Sequence, residues 1–330
     1  MFRKNAQMNS NQSKNGQWEQ DLIQKMLLQG FKEQRRARRW SVFFKLFFVG
    51  YLVAILFLAS PPKQLQQSYG EVHTALIDIN GVIAAAEEAS ADNIVSGLRA
   101  AFKAKNSAGV LVRINSPGGS PVQSGYVYDE IVRLRKLYPE KPVYAVMQDI
   151  CASGGYYIAS AADVIYADKA SLVGSIGVIS PGFGFVDAMQ KFGVERRLLT
   201  AGDHKGFMDP FSPRDPIVEN HMQSILDNAH QQFKNSVRAG RGERLVESPE
   251  VFSGLIWTGE QAVENGLVDA LGSASFVARE IIGAERIVDY TVRLDYFTLL
   301  AEQFGVAVGK GLAFVLGAEG VQPFISMKPN

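Results

Sequence analysis

Cysteine is nearly absent: Cys151 is the one thiol in 330 residues. An internal disulfide and a cysteine-based zinc cage are therefore excluded, and stability has to come from packing. Histidine is scarce too. Of the four, His221 and His230 fall on a polar helical pattern where a solvated ring is the default, His73 opens a strand, and none sits in a triad signature. Net charge is also lacking, at +1 overall, so there is no global pull toward nucleic acid. No metal-ligand cluster is visible. Gly182-Phe183-Gly184 is no dinucleotide fingerprint, because no acidic residue follows a second strand at the right distance. Pro117-Gly118-Gly119 lacks the Lys-Ser/Thr of a phosphate loop. No cofactor, metal or nucleic-acid partner is expected, and no tandem repeat at a solenoid period appears.

What is present is unevenly placed. Residues 1–40 carry nine Lys or Arg against three acids, including Arg35-Arg36-Ala37-Arg38-Arg39. Residues 1–16 have too little apolar content to pack and are expected to be disordered. Trp18, Leu22, Met26 and Ile23, Leu27, Phe31 recur at helical spacing, which fits either a helix lying on an anionic membrane surface or a packing seam. Trp40 to Ser60 is apolar except for Lys45, and about 20 helical residues cross a bilayer core. A cleavable signal peptide competes, since Leu58-Ala59-Ser60 ends in small residues, but the long preceding region and Pro61-Pro62 favour an uncleaved anchor. The expected organisation is a basic cytoplasmic segment over 1–40, an anchor over 41–60, a linker over 61–71, a catalytic domain over 72–285 and a C-terminal apolar extension over 286–330. Basic residues stay on the cytoplasmic side, which puts the catalytic domain across the membrane. Residues 298–322 are apolar but broken by glycines, and read as a partner-facing or substrate-facing helix in preference to a second membrane span.

Beyond the linker, strand and helix patterns alternate. Val72 to Ile79, Gly109 to Ile114, Pro142 to Met147 and Val164 to Ala167 read as strands. Ser90 to Ala104, Pro121 to Tyr138, Gly155 to Ala162 and Asp215 to Val237 read as helices. Phe252 to Gly272 holds a strand, a helix start at Thr258-Gly259-Glu260-Gln261 and a stop at Gly266. Nearly continuous apolar strands in such alternation indicate an α/β domain with a sheet covered on both faces.

Asp149-Ile150-Cys151-Ala152-Ser153-Gly154-Gly155-Tyr156-Tyr157 is the stretch with chemical promise. A strand leads into it and an Ala-rich helical pattern leaves it, so Ser153 sits at a strand-to-helix turn where the free N–H groups of the first helical turn can receive an oxyanion. A serine helix cap followed by glycines for close packing fits the same residues. Cys151, two residues earlier at a strand end, reads as buried and inert. A serine nucleophile needs a base. With histidine unpromising, Lys205 in Asp203-His204-Lys205-Gly206-Phe207-Met208-Asp209-Pro210 is a second option, because burial lowers a lysine from its ordinary value of about 10.4. A solvated loop lysine is the bland reading of the same residue.

Four pieces occur in one order: Ile114-Asn115-Ser116-Pro117-Gly118-Gly119-Ser120, the Ser153 elbow, Val173-Gly174-Ser175-Ile176-Gly177-Val178, and the loop that carries Lys205. Together with Ile256-Trp257-Thr258-Gly259-Glu260-Gln261 and Gly266-Leu267-Val268-Asp269, they resemble the S49 serine peptidases of the signal peptide peptidase A and SohB type, in short form. The resemblance runs from about Val72 to Gly272. It implies that Ser153 is the nucleophile, Lys205 the general base and Ser175 the residue that orients the lysine. The implied oxyanion hole is the Gly154 N–H plus one from Gly118 or Gly119. The implied fold is the spiral α/β type of crotonases and Clp-type proteases. The implied setting is a homo-oligomeric ring on the bilayer of a bacterial inner membrane, single-pass and facing the periplasm, that cuts signal peptide remnants and other small hydrophobic polypeptides. Ser180-Pro181-Gly182-Phe183-Gly184-Phe185 and Met208 fit subsite walls, or ordinary core and turn. Two other readings share the fold: a catalytically silent membrane scaffold and an acyl-CoA enzyme of crotonase type.

Overall fold

The computed structural model describes residues 35–36, 38–53 and 71–293. The chain divides into two compact units, Met1–Gln67 and Ser68–Asn330. In the first, helix α1 is described over residues 38–53, and its apolar side chains are exposed. Among the described residues no helix is long and apolar enough to cross a membrane. The rest of the expected anchor, residues 54–60, lies outside the described residues, as do the expected disordered segment, the expected helix at 18–31, most of the linker and the apolar stretch 298–322.

The second unit is built on an eight-stranded sheet in the order β6-β5-β3-β2-β1-β8, with β4 beside β3 and β7 beside β4. Its centre is β1 (His73–Asn80), β2 (Ser107–Ser116) and β3 (Val143–Ala152), all parallel. Around them lie β4 (Val164–Ala167), β5 (Leu172–Gly174), β6 (Ile256–Thr258), β7 (Ala270–Leu271) and β8 (Ile287–Asp289); only β5 and β6 pair antiparallel. Side chains alternate between faces along each strand. Ile77, Val112 and Ala145 enter the larger core, while Leu76, Leu111 and Val146 enter a smaller one with Tyr166 and Val277. Both faces are thus covered, which is why these strands read as nearly continuous apolar runs.

Helices α2 (Ala91–Lys103), α3 (Pro121–Leu137) and α4 (Gly154–Ala159) follow the first three strands. The short α5 (Val186–Phe192) precedes the long α6 (Pro216–Arg241), and α7 (Gly259–Glu264) and α8 (Ala274–Phe276) complete the set. The starts are chemically marked. Ser120 accepts from the Gln123 N–H ahead of Pro121, and Asp215 accepts from the Ile217 N–H ahead of Pro216. Thr258 and Gln261 form the expected capping box, and Gly266 takes φ +69° just past α7. Arg241, fully buried, closes the end of α6 with a two-pronged contact to Asp269 at 2.9 and 2.7 Å.

Two strands differ from expectation. β3 runs five residues past Met147, because its first half pairs with β4 and its second half, after an irregularity in register, with β5. No local pattern announces that change of partner. β8 pairs with β1, so the sheet takes in residues beyond position 285.

Glu130 on α3 joins Arg99 of α2 and Arg133 of its own helix, at 2.7 Å each. Hydrogen bonding from Arg133, opposed by burial and reinforced by Arg99, draws its carboxyl down to about 2 from 4.5. A folded value below the unfolded one adds stability that is complete above about pH 4.5 and lost as pH falls toward 2. In urea unfolding across that window, the midpoint of the wild type should fall more than that of Glu130→Gln. Parallel acid dependence of the two proteins contradicts the assignment.

Candidate active site

Ser153 joins the end of β3 to the start of α4 with φ +51° and ψ −121°, a conformation rare for any residue but glycine. Such strain costs on the order of 1–3 kcal/mol and persists only where the surroundings impose it. They do so here on three sides. The Ser153 N–H donates to the Gly174 carbonyl at 2.8 Å, its own carbonyl accepts from Tyr157 N–H at 2.9 Å, and Cys151 and Ala152 are held in register with β5. The hydroxyl is left half-buried at the turn, with no hydrogen-bond partner among the described residues.

The turn after β2 comes up against this elbow. A Cβ on Gly118 would lie 2.7 Å from the Ser153 Cβ and 2.8 Å from the Gly154 nitrogen, so only glycine fits. Gly119 is equally constrained, since a Cβ there would lie 2.1 Å from the Ile83 carbonyl oxygen. Ser116, fully buried, anchors the turn: its hydroxyl donates to the Gly81 carbonyl at 2.6 Å and accepts from the Gly118 N–H at 3.1 Å. The Gly118 N–H is therefore occupied. Among the described residues the Gly119 and Gly154 N–H groups have no acceptor, and a Gly154 Cβ would come within 3.3 Å of the Gly119 nitrogen. Two unclaimed donors beside a serine hydroxyl can stabilise a developing oxyanion. The sequence left Gly118 and Gly119 open, because the choice turns on a side-chain bond from Ser116.

Next to the elbow lies a cavity of about 320 Å³ between α3 and α6, lined by Gly119, Ser153, Gly154, Tyr126, Asp129 and Phe233 among others. Asn115 braces the approach, with its amide donating to Asp149 at 3.2 Å and accepting from the Ile150 N–H at 3.3 Å. Burial pushes the Cys151 thiol up, and with no exposed surface it is inert, as its position suggested.

Ser175 stands beside the elbow, directly after the Gly174 whose carbonyl holds the Ser153 N–H, and at φ +50° it is a second strained serine. Lys205 is different. Its side chain is exposed, it does not line the Ser153 cavity, and it makes no hydrogen bond to Ser153 or Ser175. Ser180, Phe183 and Met208 line another cavity of about 530 Å³, with His204 and Asp215, and not the one at Ser153. His230 departs from the solvated default: its Nε2 lies 3.0 Å from the Ile176 carbonyl and ties α6 to the segment after Ser175. His73 is buried against the Tyr290 hydroxyl at 3.0 Å. Among the described residues there is no cluster of three potential metal ligands.

The model of peptidase family S49 matches residues 135–283, a span holding Ser153, Ser175 and Lys205. A protein of Enterococcus faecium provisionally named signal peptide peptidase SppA is 32% identical over 238 residues, 70% of this chain and 69% of that one. Protease 4 of Haemophilus influenzae is 31% identical over 221 residues, 66% of this chain and 35% of that one. A Na(+)/H(+) antiporter NhaA of Brucella abortus is 43% identical over 188 residues, 56% of this chain, which spans only 25% of the antiporter's length.

If the Pro117-Gly118-Gly119 turn sets the reactivity of Ser153, Gly118→Ala should slow labelling by a serine-directed fluorophosphonate more than about tenfold. Ser116→Ala, which removes the anchoring hydroxyl without adding bulk, should slow it as well. Labelling of both variants at the wild-type rate contradicts the arrangement.

Proposed function

The chain belongs to peptidase family S49, and on that premise we propose that it is a membrane-anchored serine endopeptidase in which Ser153 is the nucleophile and Lys205 the general base. The observation that carries the reading is the strained Ser153 facing two unclaimed N–H groups. The hydroxyl attacks the scissile carbonyl while the neutral Lys205 amine takes its proton. Negative charge collects on the carbonyl oxygen, where Gly119 and Gly154 donate to it. Collapse expels the amine, which takes the proton back from Lys205, and water activated by the same lysine releases the acyl-enzyme. Ser175 holds the lysine through its hydroxyl, without adding a negative charge that would keep the ammonium form.

Because Lys205 does not line the Ser153 cavity in the single chain, the proposed dyad is completed on assembly. What supports this is the segment that carries it: Ile179, Phe183, Phe192 and Leu199 are 84, 82, 83 and 97% exposed, a density of bare apolar side chains that fits a second copy of the chain. The sheet is read as the spiral type, on the strength of its partner-switching β3 and the family. The substrate class is small hydrophobic polypeptides, signal peptide remnants included, in line with the name of the Enterococcus relative. Trp40 to Ser60 serves as a single-pass anchor, with Arg35 to Arg39 held on the cytoplasmic side and the peptidase on the periplasmic side of a bacterial inner membrane.

A fluorogenic hydrophobic peptide tests this directly. Ser153→Ala and Lys205→Ala should each lower turnover by roughly 10³-fold or more. Full activity in either variant sinks the dyad. Leu199→Glu should shift the particle to a smaller mass in light scattering and lower turnover together; a smaller but fully active particle contradicts completion on assembly.

A further inference from the structure

The cavity at Ser153 has a chemical polarity that a purely hydrophobic substrate does not use. Val122, Gly125, Tyr126 and Asp129 recur at helical spacing, so one face of α3 forms a wall of the cavity, and Ala229, Gln232 and Phe233 of α6 form the wall opposite. Val122 and Asp129 are seven residues apart, about 10 Å along the helix axis. Near the elbow the walls are apolar, and farther along they end in acceptors. Asp129 is the only charged side chain lining the cavity among the described residues. No ion pair or hydrogen bond engages it among the described residues, whereas Arg99 and Arg133 nearby on α2 and α3 are both paired with Glu130. The Gln232 amide N–H donates to the Asn228 side-chain oxygen at 2.7 Å, which turns its own carbonyl oxygen into the free acceptor.

We propose that this cavity is a subsite for a long basic side chain, lysine or arginine, on the acyl side of the cleaved bond, with Asp129 as the specificity-determining residue. The proposal rests on Ser153 being the nucleophile. Val122, Tyr126 and Phe233 cover the methylene stem, whose apolar length packs on such walls while the charged head stays at the wetter end. An arginine there also lies against the Tyr126 ring. The substrate class is therefore sharpened: apolar polypeptides carrying a basic residue at the position cut are turned over in preference to those that are apolar throughout.

The test uses the full-length chain and two quenched peptides that differ only in lysine or norleucine, which share the same stem, at the residue donating the attacked carbonyl. The wild type should favour the lysine peptide about fivefold in kcat/KM, as expected for a partly solvated ion pair, with the difference mainly in KM. Asp129→Asn should bring the ratio to about one, and Asp129→Lys should invert it in favour of a glutamate peptide. An equal ratio in the wild type, or one unchanged by Asp129→Asn, overturns the proposal. The same peptides titrated against Ser153→Ala by fluorescence anisotropy read the subsite without chemistry. Preferential lysine binding there, lost with Asp129→Asn, supports the subsite even if the wild type cuts neither peptide, an outcome that would count against the peptidase reading alone.

Discussion

One constraint organises the catalytic unit: Ser153 has to be held at a positive φ where strand ends and helix begins. A serine does not choose that conformation, so neighbouring backbone must compel it. β5 does so through the Gly174 carbonyl, and the turn after β2 does so by closing to within a methyl group of the elbow. Three strands therefore converge on one residue. The partner switch of β3 is what makes the convergence geometrically available, because the strand could not otherwise meet β4 at its start and β5 at its tip.

Much of this was legible from residue order. A short apolar strand, a serine and two glycines mark an elbow whatever the tertiary context, and the capping box at Thr258 is a local code that folds as it reads. What escaped the sequence was set by long-range pairing. The extension of β3 depends on β5, and the place of residues 287–289 depends on β1. The Gly118 N–H is claimed by a local bond instead, to the Ser116 hydroxyl two residues earlier, which residue type alone does not announce. Asp129 escaped for another reason. An acidic residue on an exposed helical face looks like a solvated surface charge until the opposite wall, from α6 a hundred residues later, is seen. Phe183 and Met208, which by residue type fit subsite walls or ordinary core and turn, line a different cavity.

The position of Lys205 follows the same logic one level up. Residues whose contacts lie within the chain are buried and hydrogen-bonded, as Ser116 and Arg241 are. The segment bearing Lys205 is exposed and carries apolar side chains that no neighbour covers within the single chain. In the proposed reading this couples chemistry to assembly: the single chain carries the strained serine and its two donors, and the base is supplied when copies meet.

The central claim is that Ser153 forms a covalent bond with the substrate's acyl group. Reaction with a slowly hydrolysed peptide ester, followed by intact-mass analysis and peptide mapping, tests it most directly. The expected result is one acyl adduct per chain, located on Ser153. No adduct, or an adduct located on another residue, would contradict it.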